Sequence, residues 1–96
     1  MTTEKAKYIL KEFFNKSAYG NIYAKDETEK DECLRFLEDS GLMWRGLSIK
    51  PTEFKPRAVP VYFSIIEEEL AWGEGPNMRD DKTIDWSELR KIISLF

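Results

Sequence analysis

Few residues of this chain are of a type that could do chemistry, and their spacing argues against most of it. There is no histidine among the 96 residues. That removes the side chain best suited to general-base work at neutral pH, and also the commonest zinc ligand. The one cysteine, Cys33, has no histidine to pair with. It lies in an acidic stretch that disfavours its thiolate, so it reads as a small buried residue, and alone it forms no internal disulfide. Carboxylates gather at Glu67-Glu68-Glu69 and at Asp80-Asp81, and two carboxylates can share the work of glycoside hydrolysis. A turn and a solvated loop account for them more simply. Asp80, Asp81, Asp85 and Glu88 are hard-cation ligand types, but their spacing does not match a calcium loop and the last two fit a helix cap. Gly73-x-Gly75-Pro76 lacks the third glycine and the Lys-Ser/Thr ending of a phosphate loop. The expectation is a non-enzyme with no cofactor and no metal site.

What remains is charge. Residues 26–39 carry seven acids against Lys30 and Arg35, residues 67–88 carry eight against Arg79 and Lys82, and residues 42–60 reverse the sign, with Arg45, Lys50, Lys55 and Arg57 against Glu53. Such segregation can steer a macromolecular partner. Two surfaces follow as candidates for partner binding: the acidic one around Asp31, Glu32, Glu38 and Asp39, and the basic one of Arg45, Lys50, Lys55 and Arg57. Acidic tracts are complementary to a basic groove built for nucleic acid, which points to a basic, nucleic-acid-handling protein as partner. The basic stretch, with Trp44 and Phe54 beside it, offers the alternative of direct nucleic-acid binding, although a pI near 5.0 is the opposite of the usual footprint.

These surfaces must be positioned by a small fold. Thr2 or Thr3 can cap a first helix with Ala6, Ile9, Leu10, Phe13 and Phe14 on one stripe. Its end is expected between Asn15 and a left-handed Gly20. Residues 21–25 read as a strand with Ile22 and Ala24 on one side. Asp26 and Glu29 form a capping-box pattern for a second helix with Cys33, Leu34, Phe36 and Leu37 inward, closed by Ser40-Gly41. Residues 42–45 read as a further strand, residues 46–60 as a loop broken by Pro51, Pro56 and Pro60, and Gly73–Thr83 as a second loop. Asp85 and Glu88 repeat the capping spacing before a last helix bearing Trp86, Leu89, Ile92, Ile93 and Phe96.

Between the two loops, Val61, Phe63 and Ile65 alternate with Tyr62, Ser64 and Ile66, and Leu70 alternates with Trp72. Two antiparallel strands turning at Glu67-Glu68 fit this pattern. A helix through 63–72 is the rival, because Phe63, Ile66 and Leu70 also have helical spacing and the turn lacks Asn-Gly. The order α-β-α-β-β-β-α makes an α+β fold: an antiparallel sheet of three or four strands with the helices packed on one face, in one domain spanning 1–96. Were the other face open, Tyr62, Ser64 and Ile66 would offer a patch for a partner or a homodimer.

The composition, 42% hydrophobic and 34% charged, is that of a folded and not a disordered chain. No apolar run is long enough to span a bilayer and no signal-peptide pattern opens the chain, so the expected location is the cytoplasm with no membrane partner.

From Ile22 to Leu89 the pattern resembles small phage- and prophage-encoded accessory proteins. The resemblance lies in the acidic helix ending in Gly, Met43-Trp44-Arg45-Gly46, the Pro-Thr-Glu-Phe loop at 51–54, the Tyr62-Phe63-Ser64-Ile65 and Leu70-Ala71-Trp72-Gly73 pair, and Ile84-Asp85-Trp86-Ser87-Glu88-Leu89. It implies an accessory protein of a mobile element acting in the host cell. Many such proteins act by binding host proteins, which implies inhibition or modulation of a host protein here, and inhibitors of CRISPR nucleases and of other defence systems share this size and charge class.

Overall fold

The computed structural model describes residues 1–14, 19–75 and 78–95. Its elements run α1 (Thr3–Phe13), β1 (Tyr19–Ala24), α2 (Glu27–Asp39), β2 (Met43–Trp44), a 3-10 turn (Pro51–Glu53), β3 (Val61–Ile66), β4 (Glu69–Gly73), β5 (Thr83–Asp85) and α3 (Trp86–Ile93). The fold is α+β, as the alternation of periodicities requires. The sheet has five strands in the order β2-β4-β3-β1-β5, one more than the upper expectation. It is also mixed. β1/β3 and β3/β4 are antiparallel, whereas β1/β5 and β2/β4 are parallel. The two parallel strands are two and three residues long, too short to announce themselves by alternation.

One face of the sheet carries Ile22, Ala24, Val61, Phe63, Ile65, Leu70 and Ile84. These join Ala6, Ile9, Leu10, Cys33, Leu34, Leu37, Trp86 and Leu89 of the three helices in a single core. Thr2 caps α1 by accepting from the Lys5 N–H. Asp26 caps α2 by accepting from the Glu29 N–H at 2.9 Å, and the Glu29 carboxylate accepts from the Lys25 N–H, one residue before the cap that a capping box would address. Gly41, at φ +84°, ends α2 as the sequence predicts.

Two local expectations are corrected. Gly20 does not end α1 in a left-handed conformation. It lies in β1, where a side chain would collide with the Phe14 ring, so its smallness serves helix–sheet approach. Asp85 occupies the N-cap position of α3, but its carboxylate makes no capping bond and pairs with Arg79 instead. The expected α1 end at residues 15–18, Pro76 of the second loop and Phe96 of the last apolar stripe fall outside the described residues.

The 63–72 segment is a hairpin. Ile65 faces Leu70 and Phe63 faces Trp72 across it, with Glu67 at φ +50° and Glu68 at φ +69° between the strands. A two-residue turn with both central residues at positive φ matches the right-handed strand twist, which is why Asn-Gly usually fills it. Here two glutamates accept that conformation because the apolar register on either side dictates it.

Candidate interaction site

The site is built from α2 outward. Its apolar stripe continues one turn earlier than Cys33 and Leu34, to Lys30, whose side chain is only 1% exposed. The buried ammonium donates to the Pro56 carbonyl at 2.6 Å, to Glu27 at 2.9 Å and to the Ala58 carbonyl at 3.4 Å. Three donors meet three acceptors, which is what makes a buried lysine tolerable. The consequence is that residues 56–58 are pinned against the helix.

Other groups fasten the rest of the loop. The Trp44 indole N–H donates to the Pro51 carbonyl at 3.2 Å, and its backbone N–H donates to the Ile49 carbonyl. The Phe54 ring stacks edge-on to Trp44 with centroids 5.5 Å apart. The Thr52 hydroxyl donates to Glu38. Lys55 bridges Asp31 at 2.6 Å and Glu27 at 3.1 Å. Hydrogen bonds from Lys30 and then Lys55 hold the Glu27 carboxyl below its ordinary range. Lys55 does the same to Asp31 and has its own pKa raised by it. Pro51 and Pro56, which interrupt any strand here, are themselves buried anchors.

The two surfaces expected to act separately meet at two points, Asp31 with Lys55 and Glu38 with Thr52. Of the candidate acids, Asp31 is paired with Lys55, Glu38 holds Thr52, and Glu32 accepts from the Trp86 indole at 2.9 Å and from Arg90 at 2.8 Å. Those two donors, Trp86 first, lower the Glu32 pKa. Asp39 remains exposed. Of the candidate bases, Lys55 is used internally, whereas Arg45, Lys50 and Arg57 are exposed. The same loop exposes the apolar side chains of Leu47 (54% exposed), Phe54 and Val59, and β4 exposes Trp72 (41%). Exposed Trp, Phe and Arg on a fixed backbone are the side chains that dominate protein interfaces. Lys30 was legible in the sequence, since it sits three and four residues before Cys33 and Leu34 on the apolar stripe.

The second face of the sheet is not open. Asn21, fully buried, accepts from the Ser64 hydroxyl at 2.6 Å and donates to Tyr19 at 2.8 Å and to the Met78 carbonyl at 2.9 Å. Tyr19 donates to Asp80, which also accepts from the Lys82 N–H and Thr83. Burial raises the Tyr19 pKa and its bond to Asp80 adds to this. Burial likewise pushes Asp80 up, but the donors outweigh it and the carboxyl lies below its ordinary value. Arg79 lies 5.2 Å above the Tyr23 ring and pairs with Asp85. Tyr62 and Ser64 are buried and Ile66 is half-buried, so the expected patch of Tyr62, Ser64 and Ile66 is not available to a second copy.

Cys33 is fully buried, and desolvation pushes its thiol well up, which disfavours the thiolate. Among the described residues no three His, Cys, Asp or Glu side chains are grouped to hold a metal ion, and no helix is long and apolar enough to cross a membrane. A depression of about 200 Å³ between α2 and the 3-10 turn is lined by Asp31, Leu34, Arg35, Thr52 and Lys55. It is smaller than the roughly 300–1,000 Å³ of small-molecule sites. No protein-family model, no curated protein and no solved structure matches the chain.

Proposed function

We propose that this chain is a non-catalytic protein-binding module of a phage or other mobile element, and that it inhibits or modulates a host protein. The observation that carries this reading is the 45–59 loop. Lys30 and Trp44 bind its backbone and Glu38 and Asp31 hold its Thr52 and Lys55 side chains, while Arg45, Lys50, Arg57, Leu47 and Phe54 of the loop, and Trp72 of β4, are exposed. A pre-ordered loop loses little entropy on binding. The assignment to a mobile element rests on the resemblance of residues 22–89 described above. A basic, nucleic-acid-handling host protein, such as a CRISPR nuclease, would be met by the acids that keep no internal ion pair, chiefly Glu67, Glu68 and Glu69 at the hairpin tip. The 45–59 loop supplies apolar and cationic contact.

The same exposed cations and rings favour one other reading, direct nucleic-acid binding. Affinity capture from nuclease-treated host lysate separates the two. The wild type is compared with R45E/K50E/R57E and with E67K/E68K/E69K. A stoichiometric protein retained by wild type and lost by the loop variant supports the protein-binding reading. Capture that vanishes with nuclease moves the assignment to nucleic acid. Retention unchanged by both variants discards it.

A further inference from the structure

We propose that the partner's contribution to this face is an extended, acidic segment that adds as a strand to the free edge of β4 at Trp72. The inference rests on the protein-binding reading and narrows it. β2 covers only part of β4: its ladder consists of Met43 opposite Glu69 and Trp44 opposite Leu70, ending with the Arg45 N–H donating to the Leu70 carbonyl at 2.8 Å. Backbone polar groups alternate between the two sides of a strand. Since Leu70 presents its groups toward β2, Trp72 presents its own N–H and C=O to that side as well, while Ala71 and Gly73 address β3. Beyond Arg45 the chain turns back, with the Leu47 and Ser48 N–H groups donating to the Trp44 carbonyl. Among the described residues no strand lies beside Trp72 on that edge.

An unpaired strand edge is a template for another strand, and proteins usually blunt it. This edge is marked by charge. Arg45 closes the β2 ladder beside the open stretch, and Lys50 follows Ile49, which meets Trp44 on the side of β2 away from β4. Both are exposed and neither takes part in an ion pair. Glu74 lies past the far end of β4, so the acids of an incoming segment belong at its Arg45 end. A second copy offering the same edge would bring Arg45 and Lys50 against their own kind, which like-charge repulsion opposes. A nucleic acid would use the cations and leave the Trp72 amide unpaired.

The probe is a terminally blocked ten-residue peptide alternating Glu with Val and Thr, titrated into the 15N-labelled protein. The expected result is amide shifts confined to Arg45–Lys50 and Ala71–Gly73, with a Kd of about 0.1–1 mM for so small a contact. R45E/K50E weakens binding about tenfold, and N-methylation of alternate peptide amides abolishes it. The proposal is overturned if the Trp72 amide does not move, if N-methylation has no effect, if a single-stranded oligonucleotide of equal charge gives the same shifts, or if the free protein is already a dimer through this edge. Capture of a protein that depends on Arg45, Lys50 and Arg57, together with an unmoved Trp72 amide, rejects strand addition and leaves the protein-binding reading standing. Loss of both rejects both.

Discussion

The chain crosses its own surface twice, and the two crossings use the same device to opposite ends. Residues 45–59 are fastened along β2 and α2, and residues 78–82 cross the second face of the sheet before entering β5. Each has one buried polar side chain among its anchors, Lys30 in the first case and Asn21 in the second. The difference lies in where the remaining charges go. In the second segment Arg79 is spent on Asp85 and Tyr23, and Asp80 on Tyr19, Lys82 and Thr83. In the first, only Lys55 is consumed, and Arg45, Lys50 and Arg57 stay in solvent among exposed apolar side chains. One segment covers; the other presents. A buried polar anchor thus does not distinguish the two segments, whereas the fate of their flanking cations does.

The largest expected effect on this comparison is at Lys30. Lys30→Met keeps the apolar stem but orphans the Pro56 and Ala58 carbonyls, and should cost about 2–4 kcal/mol. Urea unfolding followed by Trp fluorescence measures it; a change under about 0.5 kcal/mol would show that the ammonium is not the anchor. Asn21→Ala removes the acceptor of the Ser64 hydroxyl and the donor to Met78. It should cost about 1–3 kcal/mol and leave partner capture intact, because the second segment only covers. Loss of capture in a folded Asn21→Ala protein would erase the distinction between the two regions.

Smaller effects sharpen it. Replacing Glu67-Glu68 by Asn-Gly suits the positive φ of both residues and should stabilise the hairpin by about 1 kcal/mol; thermal melts read this as a higher Tm, and a lower one would mean the turn is not of this type. Acid should loosen the first segment, through Glu27 and Asp31, and the α2–α3 contact, through Glu32. The carboxyls of Glu27, Asp31 and Glu32 are lowered from ordinary values of 4.5, 3.8 and 4.5 by their cationic and indole partners. Their contribution is complete above those ordinary values and is lost as pH falls through the lower folded ones. Because all three are substantially exposed, the loss should be modest and reduced further by salt. Urea midpoints measured from pH 6 down to pH 3, at low and high salt, test the sign. Midpoints that rise on acidification would refute these pairings.

The sequence carried the α+β class, three helices with most of their inward residues, and the strands Val61–Ile66 and Leu70–Trp72 on either side of Glu67-Glu68, because period and caps are local signals. β5 and the parallel partnership of β2 were not legible: two or three residues show no period, and their pairing is fixed by distant strands. The candidate charges were all visible, but not that Asp31 and Lys55 would meet, since that depends on how the loop returns over α2. Lys30 could have been read from its place on the apolar stripe. Asn21 could not, since its partners Ser64 and Met78 lie 43 and 57 residues away.

Amide hydrogen exchange on wild type and Lys30→Met, read by mass spectrometry over peptides covering 45–59 and 78–85, tests the central claim most directly. The account predicts that wild-type residues 49–58 are protected, that Lys30→Met accelerates their exchange at least tenfold, equivalent to about 1.4 kcal/mol of local stability, and that residues 78–85 are unchanged. Equal acceleration of both segments, or none in either, would contradict the view that one buried lysine holds the presenting loop in place.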